Sequence, residues 1–179
     1  MRVRVRAEKP HPHGGVDVNI TIVGTPAPQG SKKGFAIKRK GVYTGKVAQV
    51  ESSKKVKPWR QDVKQAALDA RGVTPVMTGD VRVYVTFWFA RPRRHYRTGR
   101  NSHLLRALAP VRPCGRPDLD KLVRSTCDGL GEACVFGDDA QISDIHASKR
   151  YATPQQFPGA SITVECVPNV VDVPELVAS

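Results

Sequence analysis

Apolar and polar residues alternate with a period of two in three stretches of the chain and recur at helical spacing in two others. Val16, Val18, Ile20 and Ile22 interleave with Asp17, Asn19 and Thr21, which predicts a half-buried strand over 16–23. Val81, Val83, Val85, Phe87 and Phe89 alternate with Arg82, Tyr84, Thr86 and Trp88, the clearest strand of all. Near the end, Ile162, Val164 and Cys166 alternate with Ser161, Thr163 and Glu165, predicting a strand over 160–167. Another strand is expected over 141–150. Trp59, Val63, Ala66, Ala67 and Ala70 share one helical face, with Pro58 at the first helical position and Gly72 at the stop. In this setting Trp59 is a core anchor. Leu119, Leu122, Val123, Cys127 and Leu130 form a second stripe, an amphipathic helix from Asp118 to about Leu130 with Gly129 and Gly131 at its end. The order β-α-β-α-β-β implies an α+β fold, a small mixed β-sheet packed with two helices.

Between these elements the pattern fails. "GTPAPQGSKKG" interrupts regular structure with Pro and Gly. Residues 32–57 read as a long loop or a loose hairpin around "GVYTGK". Residues 91–117 form a long Arg- and Pro-rich connection, with a short helical turn expected at "SHLLRAL"; a connection of that length is functional or mobile. The organisation expected is an N-terminal extension over 1–15, one domain over 16–167 and a tail over 168–179.

Charge changes the picture. Lys and Arg total 29 against 16 acids, a net +13. Ten basic residues lie between Ser31 and Arg60 against the single acid Glu51, and six Arg lie between Arg91 and Arg106 with no acid. Such stripes suit a phosphate backbone. Lys32, Lys33, Lys38, Arg39, Lys40, Lys46, Arg91, Arg93, Arg94, Arg97, Arg100, Lys121 and Lys149 are therefore the candidate phosphate contacts, DNA-binding residues if the partner is DNA; charge alone does not separate DNA from RNA or either from an acidic membrane. No apolar run approaches the ~18 residues of a membrane span, and "MRVRVRAEKPHPHGG" lacks the apolar core of a secretory signal, so the expected setting is cytoplasmic, with no membrane partner. Cys114, Cys127, Cys134 and Cys166 have no metal-ligand spacing and read as free, mostly buried thiols.

Against this basic background, seven of the sixteen acids fall between Asp118 and Asp144. Asp118 and Asp120 open the second helix. Residues two apart on a helix point about 200° from each other, so both reach one ion only if Asp118 sits at or before the N-cap. Asp138 and Asp139 lie on a turn expected to return toward that helix start. Converging carboxylates make a hard oxygen site suited to Mg²⁺ rather than zinc. Taken singly, Asp118 is a plausible cap and "DD" a common turn; set together in a phosphate-binding surface, they need a cation to offset their repulsion. Arg124 either pairs with Asp120 one turn earlier or faces the scissile phosphate.

The stretches "RPDLDKLVRSTCDGL" and "VFGDDAQISDIHASKRY" resemble the RusA family of Holliday-junction resolvases, in which a D-L-D-x-L motif opens a helix and a D-D-x-Q-[IV] motif opens the next strand. Weaker echoes are "VYTGK", "PWRQDV" and "VTFWFARPRRHYRTGR". The resemblance implies a Mg²⁺-dependent endodeoxyribonuclease, with Mn²⁺ as a substitute, acting as a homodimer on four-way junction DNA in recombination and repair. It places the family's catalytic aspartates on Asp118, Asp120 and Asp139, with Asp138 adjacent as a further metal ligand. The family's basic residue, usually Lys, falls on Arg124; Arg holds its proton, so a phosphate-clamping role survives better than proton donation. Two rival readings stand beside this one: a non-catalytic DNA- or RNA-binding protein whose acids are caps and turns, and a nuclease acting on flaps, forks or plain duplex.

Overall fold

The computed structural model describes residues 17–30, 32–51 and 53–167; the extensions read at 1–15 and 168–179 lie outside them. A four-stranded sheet carries the domain. Its strands are β1 (Val18–Val23), β4 (Val81–Phe89), β5 (Ile142–Tyr151) and β6 (Gly159–Cys166), in spatial order β1-β6-β4-β5. β6 runs antiparallel to both β1 and β4, while β4 and β5 are parallel. The sheet is therefore mixed, as expected. The parallel step requires a crossover, and helix α2 (Leu119–Glu132) supplies it. Helix α1 (Val56–Arg71) precedes β4.

Both helices cover one face of the sheet. The alternating residues read from the sequence fill the interface: Val18, Ile20 and Ile22 from β1, Val81, Val83, Val85 and Phe87 from β4, Ile162 and Val164 from β6. Trp59, Val63, Ala67, Leu122 and Leu130 meet them from the helices. Trp59 is buried, and its indole N–H donates to Thr126 Oγ1 at 3.1 Å, so the anchor's polar edge is satisfied as well. The opposite face is a layer of cross-strand polar and aromatic pairs. Arg82 bonds Asp144 at 2.9 Å, Tyr84 stacks on His146 at 4.9 Å, and Trp88 Nε1 donates to Ser161 Oγ at 3.0 Å.

Several boundaries differ from expectation. α1 begins two residues before Pro58, which occupies its first turn; that turn's N–H groups need no helical acceptor, so proline is tolerated there. α2 continues through Gly129 and Gly131 to Glu132. Gly129 is a close-packing position rather than a stop: a Cβ there would lie 2.9 Å from Val63 Cβ and Cγ1 and 3.2 Å from Arg60 O. Residues 32–51 form a hairpin, β2 (Lys32–Arg39) and β3 (Val42–Glu51), turning at Lys40 and Gly41, both at positive φ. The helical turn expected at 102–108 is absent. Short 3₁₀ turns occur instead at Arg93–His95 and Gly99–Asn101, and Leu105 bridges back to Tyr96. Of the four thiols only Cys127 is buried; Cys114 and Cys134 are exposed and Cys166 is intermediate.

Candidate active site

α2 lies above the edge strand β5, and an open cleft of about 760 Å³ separates them. Its helix wall carries Asp120, Arg124 and Asp128, spaced i, i+4, i+8 and so aligned on one face. Its strand wall is Ile142, Ile145 and Ala147, and Asp139 enters from the 3₁₀ turn Asp139–Gln141 that leads into β5. Gln29 closes one side. The Pro-rich segment before it is not a free loop. Gln29 N–H donates to Lys121 O at 2.9 Å, and Ser125 Oγ donates to Ala27 O at 2.6 Å, strapping the segment to α2.

The five residues proposed for chemistry are disposed differently. Asp120, Arg124 and Asp139 all line the cleft, and none of their side chains hydrogen-bonds or ion-pairs with another described residue. The i,i+4 pair between Asp120 and Arg124 is not formed. Asp118 is the N-cap residue in extended conformation (φ −70°, ψ 139°), as its position before the helix required, but its side chain caps nothing. It accepts a 2.7 Å bond from Lys121 Nζ and lines a neighbouring recess with Arg116, Pro117 and Lys121. That bond is the main reason its carboxyl titrates below the ordinary range, and the charges of Lys121, Arg116 and Lys149 add to it. Lys121 is raised in turn. Asp138 caps the 3₁₀ turn, accepting Ala140 N–H at 2.8 Å, while Gln141 Oε1 accepts from Gly137 N and Asp138 N. The Gln141 amide also donates to Gly79 O and Met77 O, fixing the turn to the connection between α1 and β4.

Convergence of three or four carboxylates is therefore not what the side chains show. Among the described residues no three His, Cys, Asp or Glu groups stand close enough to share an ion. The cause is local competition: Lys121 holds Asp118, the cap holds Asp138, and Arg60 holds Asp128. The oxygen donors left open to the cleft are those of Asp120 and Asp139. Two carboxylates, with room for waters and a phosphate, fit the coordination habit of Mg²⁺, which rarely takes an all-protein cage.

Sequence reading missed the pair beneath the cleft. Arg60, on α1, bonds both Asp128 and Gln29. The i, i+4, i+8 recurrence of charge on α2 was the available signal for Asp128; nothing local marks Arg60. Cys127, beside these acids, is pushed up to about 11, chiefly by burial and further by Asp128 and Asp139, so it stays a neutral thiol.

The candidate DNA contacts also separate. Lys38, Arg39, Lys40 and Lys46 are exposed on the hairpin, and Arg93, Arg94, Arg97 and Arg100 are exposed on the 91–117 connection. The side chains of Lys32 and Lys33 lie outside the described residues. Arg91 is engaged internally: its guanidinium sits 4.0 Å over the Tyr151 ring and donates to Pro110 O at 2.8 Å. Lys149 donates to Gly115 O (2.8 Å) and Pro117 O (3.0 Å), tying β5 to the chain just ahead of α2.

No helix among the described residues is long and apolar enough to cross a membrane. A family model described as endodeoxyribonuclease RusA matches residues 24–165. No curated protein matches the chain.

Proposed function

The chain belongs to the RusA endodeoxyribonuclease family, and from that premise we propose that it resolves four-way DNA junctions by paired, Mg²⁺-dependent nicks during recombination and repair. The observation that carries the proposal is the grouping of two unpaired carboxylates, Asp120 and Asp139, with one unpaired guanidinium, Arg124, around a single cleft in a chain of net charge +13. A surface selected only to bind phosphate gains nothing from open carboxylates, which repel it.

Asp120 and Asp139 are the residues that would hold the ion. Bound Mg²⁺ supplies Lewis acidity toward the phosphoryl oxygens and lowers the pKa of a water. Arg124, one turn beyond Asp120, meets a phosphate entering the cleft with a charge that stays on and a fork that binds two oxygens. It stabilises negative charge that builds on the phosphoryl group during attack. Arg60 keeps Asp128 neutralised and aligned, so the helix wall presents one open carboxylate, Asp120, instead of two. Ile142, Ile145 and Ala147 give an apolar floor that limits water around the charges. Asp118 would be free to serve as a further ligand only after leaving Lys121, a side-chain rotation at an exposed position, and a phosphate competing for Lys121 would favour that release.

Two matched cuts need two matched sites, so the acting form is a two-fold homodimer, working in the cytoplasm on junction DNA with Mn²⁺ able to replace Mg²⁺. The test is a labelled synthetic four-way junction incubated with and without Mg²⁺. The expected products are symmetric nicks in two opposing strands, only with metal, and none from linear duplex at the same salt. Junction binding without cleavage in any divalent metal supports the non-catalytic reading instead, and faster cutting of flaps, forks or duplex would reassign the substrate.

A further inference from the structure

The hairpin β2–β3 lacks what a hairpin in water ordinarily needs. Two strands alone are marginally stable, and persistence requires an apolar face packed on something. Every residue from 34 to 47 is exposed. Phe35 (55%), Ile37 (41%), Val42 (70%), Tyr43 (65%) and Val47 (65%) therefore present large apolar surface to solvent. These residues lie on the same ribbon as Lys38, Arg39, Lys40 and Lys46. The two kinds are interleaved: Lys38 pairs with Tyr43 across the strands, its ammonium 4.4 Å from the ring centroid, and Arg39 pairs with Val42.

We infer that this hairpin is a nucleic-acid arm that seats Phe35 and Tyr43 against unstacked bases at the branch point while its cations lie on the flanking phosphates. The inference rests on the junction-cleaving reading and adds a binding device to it. Three observations select this occupant. The ribbon carries only positive charge between Lys32 and Val50, so a second copy of itself is repelled and a polyanion is attracted. Aromatic and branched apolar groups amid cations match the chemistry of exposed bases beside phosphates, where each stacked base gains on the order of 1–3 kcal/mol and apolar wedges enter opened base steps. The arm is also rooted beside the cleft: β2 begins two residues after Gly30, which lines the recess holding Asp118, Arg116 and Lys121. At roughly 3.3 Å per residue its eight-residue strand reaches about 26 Å, more than twice the ~12 Å width of a major groove. A duplex with intact stacking offers few apolar faces, whereas a four-way crossing interrupts the stacks.

The test places 2-aminopurine at the branch point of a synthetic junction and measures binding in EDTA, which separates the arm from cleavage. Wild-type protein is expected to brighten the probe on binding, with little change for the same base inside linear duplex. The double variant Phe35→Ala/Tyr43→Ala is expected to lose the brightening and at least tenfold in affinity while keeping its salt dependence. Lys38→Gln/Arg39→Gln/Lys46→Gln should retain brightening at saturation but bind with a log–log salt slope shallower by about 2.7, at roughly 0.9 per phosphate contact. Because alanine at both positions also weakens the ribbon itself, Phe35→Trp serves as an independent probe, and quenching of its added emission by the junction is expected. Full brightening and affinity in the double variant overturn the inference. So does a fall in the free protein's sedimentation coefficient as the only change, which would make a second copy the arm's partner. If wild type never nicks in Mg²⁺ yet the double variant loses brightening, the arm stands and the nuclease reading falls.

Discussion

Gly129 sits where α2 packs tightly on α1, and replacing it separates two opposing effects. In a helix interior Ala is favoured over Gly by about 1 kcal/mol. Against that gain, the added Cβ would lie 2.9 Å from Val63 Cβ and Cγ1 and 3.2 Å from Arg60 O. Val63 is fully buried and β-branched, so it has no other rotamer space, and Arg60 O belongs to the backbone of α1. Overpacking of this kind costs about 1–3 kcal/mol. Gly129→Ala should therefore destabilise by a net of up to about 2 kcal/mol, the overpacking cost less the propensity gain. Gly131, two residues on in the same helix, is the control. Its Cβ would meet only Phe136 at 3.8 Å, an ordinary contact, so Gly131→Ala should be neutral or stabilising by up to about 1 kcal/mol. Urea unfolding followed by circular dichroism reads both, with opposite shifts of the midpoint at unchanged slope. Because Arg60 and Asp128 join the same helices, Gly129→Ala should also slow junction cleavage. Equal stabilisation by the two alanines would refute the close-packing assignment and return Gly129 to a mere helix terminator.

Further outcomes follow from the site. Asp139→Asn should keep junction binding, or tighten it as phosphate repulsion falls, while cleavage drops by two orders of magnitude or more, read by gel shift and nicking at one salt concentration. Lys121→Met removes the main cause of Asp118's depressed titration, so its carboxyl should move up toward the ordinary aspartate value in a carbon-detected NMR titration. The stability that ionised Asp118 contributes is present above about pH 4 and is lost as pH falls through its depressed midpoint, so wild type and variant should converge in strong acid. His95, buried beside Arg94 and Arg91, has its imidazole pushed below the usual value by burial first and by those charges second; its proton-coupled NMR shift should titrate below ~6.5, and the fold should lose stability as pH drops from there. Thiol labelling at pH 8 should modify Cys114 and Cys134 quickly and Cys127 only on unfolding.

Legibility in the sequence tracked burial. β1, β4 and β6 each have one face on the core, so their alternation announced them, and the stripe from Leu119 to Leu130 announced α2. From residue 34 to 47 the β2–β3 hairpin buries neither face, so no period marks it, and only its turn glycine and length hinted at pairing. Gly129 was misread because a glycine that ends a helix and one that admits a neighbour look alike until Val63 is placed against it. The site was half legible. Asp120, Arg124 and Asp139 line one cleft, as the two short motifs suggested. Asp118 and Asp138 did not join them, because a lysine three residues along and a free N–H two residues along are nearer partners than an ion. Arg60 and Asp128 are 68 residues apart, a separation that no local pattern bridges.

The central claim is that Asp120 and Asp139 together hold a divalent ion at this cleft. Titrating Mn²⁺ into the free protein by calorimetry, with wild type, Asp120→Asn and Asp139→Asn side by side, tests it without DNA or turnover. One site per chain is predicted for wild type, weakened at least tenfold by either substitution, whereas wild-type binding retained in both variants would contradict it.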